Sequence, residues 1–141
     1  MLVVNAIDNF RREIIYHINW LFSSNLRKQM AGNKKFENYH KGQRCFIIGN
    51  GPSLKHHDLS KLTDECVFTV NYMMKSEHFA TLNPNYHLFF DPVVFELDPT
   101  NEDDKIKIEL ISKAQQTNPN TTYIIPYRRR LNFIKLFPKL K

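Results

Sequence analysis

The sequence lacks any apolar run approaching the ~20 residues that a membrane-spanning helix needs, so we expect no such helix. A secretory signal is not indicated either. Charged residues such as Asp8, Arg11 and Glu13 stand where a signal peptide would be apolar, and no small-residue cleavage site follows them. These two absences predict a cytoplasmic protein.

Cysteine is nearly absent: the chain has only Cys45 and Cys66, each at the start of an apolar run. A disulfide is not expected in a reducing compartment. Neither cysteine has a second one at metal-ligand spacing, so a zinc site is not indicated. We predict that both are small buried hydrophobic residues.

Acidic residues are missing from residue 127 onward, where six basic residues carry a charge equal to the net +6 of the whole chain. A nucleic-acid-binding protein more often shows a basic face across its fold, so we expect no nucleic-acid partner. Apolar residues alternate with the charges, which favours peripheral contact with the inner face of a membrane. The alternative is a helix that packs on the domain and leaves its charges in water.

The apolar fraction of 42% and the aromatic fraction of 13% predict a globular chain with one core. Its first part, residues 1–31, has apolar residues at helical spacing and is predicted to be an amphipathic helix. A polar, glycine-bounded linker over residues 32–43 follows. We predict a Rossmann-like domain over residues 44–126 and a basic tail over residues 127–141. The helical stripe consists of Ile7, Phe10, Ile14, Ile18 and Leu21.

Four short apolar runs, at residues 44–48, 66–70, 86–90 and 121–125, alternate with helical segments. The clearest of these segments is 102–116, where three acidic residues suit a helix start. Continuous apolar strands of this kind are typical of a parallel sheet. The predicted fold class is therefore α/β: a Rossmann-like half domain of about four parallel strands with helices on both faces.

A Gly-Asn-Gly-Pro-Ser-Leu sequence over residues 49–54 directly follows the first predicted strand. We expect Gly49 to permit a sharp turn and Gly51 to let a ligand approach the backbone. Leu54 replaces the third glycine of a dinucleotide fingerprint, and no Gly-Lys-Ser/Thr follows, which argues against an NAD site and a Walker loop. The simplest alternative is a tight turn without a ligand.

Polar residues also end the next two predicted strands, at Asn71 and Asp91. The carboxyl ends of parallel strands meet at one edge of a sheet, so Asn50, Ser53, Asn71 and Asp91 should face one crevice. Asparagine can read a base or a ribose through its paired donor and acceptor. The pattern predicts a nucleotide site.

These residues resemble the amino-terminal half of the bacterial lipooligosaccharide sialyltransferases, over residues 44–95. They also resemble a wider group of surface-polysaccharide proteins that includes domains like the archaeal hydroxymethylpterin diphosphokinase. The matching segments are 46–55, 58–62, 67–71 and 89–92. The resemblance implies that Asn50, Gly51, Ser53 and Asn71 hold the CMP part of a CMP-sugar, with Gly49 in the same loop. Asp91 replaces an asparagine of the sialyltransferases and suits the wider group better.

The resemblance implies a donor-binding part of a glycosyltransferase that uses a nucleotide sugar and a glycan acceptor, with no metal or other cofactor. Because that family continues into a second half, we expect the chain to be truncated, and we assign no catalytic base. His56 and His57 are either such a base or an exposed pair. One alternative is a diphosphokinase-like domain whose Asp91 helps to hold Mg²⁺. Another is a nucleotide-binding remnant without catalysis.

Overall fold

The computed structural model describes residues 11, 14, 15, 18 and 21–138. The chain divides into two compact units, Met1–Gly42 and Gln43–Lys141. Within the described ranges, no helix is long and apolar enough to cross a bilayer.

In the first unit, the helix predicted over residues 1–31 is interrupted at Ser23. Residues 21 and 22 are helical, and a new helix, α1 (Ser24–Gly32), begins after Ser23. The Ser23 hydroxyl accepts a hydrogen bond from the Leu26 N–H at 3.2 Å, so it caps α1 as serine commonly does. The predicted linker contains a 3₁₀ turn, Asn33–Phe36. Ile7 and Phe10 of the predicted stripe lie outside the described residues.

The second unit is built on one four-stranded parallel sheet, which confirms the predicted Rossmann-like α/β fold. Its strands are β1 (Cys45–Ile48), β2 (Cys66–Val70), β3 (Tyr86–Leu88) and β4 (Thr122–Ile124). All four lie inside the predicted runs, and they are ordered along the sheet as they are along the chain. The carboxyl ends of the strands therefore lie at one edge.

Short helices connect the strands. The longest is α3, Glu102–Thr117, whose cap Asn101 accepts a hydrogen bond from the Asp104 N–H at 3.1 Å. Acidic residues in its first turn complement the helix dipole, as the sequence predicted. The other helices are α2 (His78–Leu82) and α4 (Arg130–Leu136), and the 3₁₀ turns are Pro52–His56, Leu59–Leu62, Asn71–Lys75, Pro92–Phe95 and Tyr127–Arg129.

One face of the sheet is fully buried along its two central strands. Val67, Thr69, His87 and Phe89 are completely inaccessible, and Phe89 belongs to the main core cluster. Right-handed connections between strands in sequential order all pass over the same side of a sheet, which explains why the connecting helices pack here. This cluster also contains Phe79 of α2, Ile111 and Ala114 of α3, and Phe133 of α4.

The opposite face of the sheet is only partly covered. Ile47 of β1 is 73% exposed, and Phe90, just beyond β3, is 56% exposed. Among the described residues, this face is therefore less completely buried than the other. Cys45 is exposed and Cys66 is buried, so the prediction of two buried cysteines is wrong for Cys45. Cys45 lies on the edge strand of the sheet.

Candidate nucleotide-binding site

A cavity of about 750 Å³ opens in the second unit beside the segments that follow β1 and β2. This volume lies within the range of ligand-binding pockets. It is also where an open α/β sheet binds its ligand, outside the carboxyl ends of the strands. The cavity is lined by Asn50, Gly51, Pro52, Leu54 and Lys55 on one side and by Tyr72, Met73, Lys75, Ser76, Glu77 and His78 on the other.

The loop after β1 does not need glycine for its conformation. Gly51 is extended, with φ −68° and ψ 152°, and Gly49 is not among the residues with positive φ. A left-handed backbone conformation is therefore not what glycine provides at these two positions. What the glycines leave is space: a Cβ on Gly49 would meet nothing within 4 Å, and one on Gly51 would meet only the Ser53 hydroxyl, at 3.7 Å.

The loop is held in place by Pro52 and Leu54. Pro52 begins a 3₁₀ turn, where its fixed φ is suitable and its missing N–H is not needed. The Leu54 N–H donates to the Gly51 carbonyl at 3.1 Å. The Leu54 side chain packs against the cluster of Leu59, Met73 and Leu82. Leu54, which stands where a dinucleotide fingerprint has its third glycine, thus anchors the loop.

Asn71 joins the ends of β2 and β3. Its Oδ1 accepts hydrogen bonds from the Phe90 N–H at 2.8 Å and the Asp91 N–H at 3.0 Å. Asn71 adopts a left-handed conformation, φ 47°, which asparagine tolerates better than most residues. Its side-chain oxygen therefore stabilises the edge of the sheet.

Asp91 has a similar local role. Its Oδ1 accepts a hydrogen bond from the Val93 N–H at 3.1 Å and caps the Pro92–Phe95 turn. The structure places Asn71 and Asp91 next to each other, and it places Asn50 and Gly51 together in the cavity wall. Of the predicted binding residues, four lie outside the lining of the cavity itself: Gly49, Ser53, Asn71 and Asp91.

Tyr72 connects the strand end to the cavity. It follows Asn71, lines the cavity and is partly buried against the core cluster. Burial raises the pKa of the Tyr72 hydroxyl, and the negative charge of Asp91 raises it further. The Lys75 ammonium group lies 4.1 Å from the centre of the Tyr72 ring, a cation–π contact.

The cavity has an excess of positive charge, because Lys55 and Lys75 face a single acidic residue, Glu77. This balance favours an anionic ligand. Reasoning from sequence missed the whole second wall, Tyr72–His78, because it stopped at the strand end, Asn71. Extending the strand-end argument by seven residues, about two helical turns, finds these residues.

The histidines of the second unit occupy three different environments. His56 and His57 are an exposed pair outside the cavity lining, whereas His78 lines the cavity. His87 is fully buried in the middle of the sheet, where its Nδ1 lies 2.7 Å from the Thr69 hydroxyl. Burial lowers the pKa of His87 to about 4, so this side chain is neutral at physiological pH.

No group of three or more His, Cys, Asp or Glu side chains in the described part of the chain is arranged to hold a metal ion. Asp103 and Asp104 occupy the first turn of α3.

The chain matches no protein-family model, no curated protein and no solved structure.

Proposed function

We propose that the second unit binds the nucleotide of a CMP-type sugar donor in the cavity between Asn50–Lys55 and Tyr72–His78. In this proposal it is the donor-binding part of a glycosyltransferase of bacterial surface-polysaccharide or lipooligosaccharide synthesis, acting in the cytoplasm. The observation that carries the proposal is the position of this cationic cavity beside an open glycine loop, at the carboxyl edge of a parallel sheet.

The phosphate of the donor fits the loop side of the cavity. Gly51 lines the cavity and has no side chain of its own to block the backbone, and backbone N–H groups in such loops bind phosphate oxygens. Lys55 and Lys75 supply positive charge from the two walls. Pro52, Leu54 and Met73 give the apolar surface that a base or a ribose needs.

The reaction that follows from this proposal is sugar transfer to a glycan hydroxyl. The acceptor oxygen forms a bond to the anomeric carbon, and the bond from that carbon to the donor phosphate breaks. The acceptor proton passes to a base, and the phosphate of the departing CMP takes up the negative charge. Loop N–H groups and the two lysines stabilise that charge as it develops. The resemblance to the sialyltransferases supports this choice of donor.

The diphosphokinase-like alternative requires Mg²⁺ to be held with the help of Asp91. The geometry favours this alternative less, because one Asp91 oxygen already accepts the Val93 N–H and Asp91 lies outside the cavity lining. A remnant that performs no chemistry is the remaining alternative. Each of the three predicts different nucleotide binding.

Titration calorimetry with CMP, CDP, UDP and ATP, with and without Mg²⁺, tests the proposal. We expect CMP to bind without metal. Lys55→Ala and Lys75→Ala should each weaken CMP binding about 10- to 100-fold, since a hydrogen bond to a charged group contributes about 1.5–3 kcal/mol. Lys61→Ala is the matched control: this lysine is also exposed on a 3₁₀ turn but lies outside the cavity. Strictly Mg²⁺-dependent ATP binding, or no binding at millimolar concentration, would overturn the donor assignment.

A further inference from the structure

The basic segment after β4 is an integral part of the domain. The turn Tyr127–Arg129 runs directly into α4, and the aromatic residues that follow point into the core. Phe133 and Phe137 are each 2% exposed. The Phe133 ring centre lies 5.0 Å from that of Phe89 and 5.8 Å from that of Phe95. One side of this helical segment is therefore fixed against the sheet.

The other side of the same segment faces solvent. Arg128, Leu131, Ile134 and Lys135 follow the spacing of one helix stripe, and we call them the basic helix face. Leu131 is 67% exposed and Ile134 is 50% exposed. Two large aliphatic side chains are thus exposed to solvent between two cationic ones, on a helix whose opposite side packs against the core.

Two neighbouring cations also contact the domain. The Arg129 guanidinium lies 3.0 Å from a Glu96 carboxylate oxygen, and that of Arg130 lies 3.9 Å from the centre of the Tyr127 ring. No acidic residue occurs between residues 127 and 138. The basic helix face is therefore aliphatic at its centre and positive at both ends, without a negative charge of its own.

We propose that the basic helix face seats the second unit on an anionic lipid bilayer. Leu131 and Ile134 enter the boundary between the headgroups and the acyl chains, and the cations at either end meet anionic headgroups. Aliphatic burial combined with positive charge is the arrangement by which interfacial helices bind such surfaces. A basic residue near an anionic surface strengthens binding about fivefold, so charge and burial contribute together.

Sedimentation of the whole chain with phospholipid vesicles tests this proposal. We expect binding to vesicles of phosphatidylcholine with phosphatidylglycerol, weaker binding to phosphatidylcholine alone, and loss of binding as salt is raised. The double variant Leu131→Glu/Ile134→Glu should bind at least tenfold more weakly. Arg128→Gln and Lys135→Gln should each weaken binding about fivefold. Deleting the segment is not a suitable test, because Phe133 and Phe137 belong to the core.

Ile106→Glu is the matched control. Ile106 is 57% exposed on α3, among residues of both charge signs, and the variant should bind vesicles like the wild type. Circular dichroism and thermal unfolding of every variant separate lost binding from lost folding. Equal binding to neutral and anionic vesicles, or unchanged binding of the Leu131/Ile134 variant, would overturn the proposal. The proposal would also be overturned if the chain bound RNA but no vesicles and the same variants lost RNA binding.

Discussion

Replacing Gly51 with alanine tests whether this glycine is needed for ligand access or for the conformation of the loop. Gly51 has φ −68° and ψ 152°, a conformation that alanine adopts readily and that the following Pro52 favours. The added Cβ would meet the Ser53 hydroxyl at 3.7 Å, which is an ordinary contact. The folded state therefore accommodates the methyl group without strain.

Two magnitudes follow for Gly51→Ala. Alanine restricts the unfolded chain, so the free energy of unfolding should rise by about 0.4–1 kcal/mol. In the cavity, the methyl group takes the space through which a phosphate reaches the loop. Losing one charged hydrogen bond costs about 1.5–3 kcal/mol, so CMP should bind about 10- to 100-fold more weakly.

Urea unfolding and calorimetry, run on the same preparation, measure both quantities. Gly42→Ala is the control: Gly42 has φ +82° and lies outside the cavity lining, so alanine should be strained there while CMP affinity stays unchanged. If Gly51→Ala is less stable than the wild type, the backbone reasoning is wrong. If it is stable and binds CMP normally, the loop does not approach the ligand.

Two further predictions concern the sheet. His87 has a folded-state pKa of about 4 against 6.5 when unfolded, so the unfolded chain binds its proton first and stability falls as pH drops below 6.5. Between about pH 7.5 and pH 5.5, this proton uptake lowers the free energy of unfolding by about 1.3 kcal/mol. Urea unfolding should show this loss in the wild type but not in His87→Leu. Parallel pH profiles of the unfolding free energy in the two proteins would refute the prediction. Asn71→Ala leaves the Phe90 and Asp91 N–H groups without their acceptor and places alanine at φ 47°, so it should destabilise the fold by about 2–3 kcal/mol. Asn71→Asp retains an acceptor oxygen and should lose less, and equal losses in the two variants would contradict the role of the Asn71 oxygen.

The local elements of the second unit could be predicted from sequence because their signals are local. Each strand is a continuous apolar run, and α3 begins where Asn101 and three acidic residues suit a helix start. The helix of the first unit was predicted less well, because the apolar spacing continues through Ser23 while its hydroxyl caps a new helix. A periodic pattern does not reveal which of its polar residues will serve as a cap.

The sequence by itself determined the parallel sheet, the glycine loop after β1 and the strand-end position of Asn71 and Asp91. Only the tertiary structure decided what these residues do. The Asn71 oxygen is bound by N–H groups 19 and 20 residues away, and the second wall of the cavity forms where Tyr72–His78 meets the loop. The basic segment acquires an anchored side and a solvent side only by packing on Phe89 and Phe95. Periodicity and turn chemistry act over a few residues, whereas the partner of a side chain depends on strand order and packing.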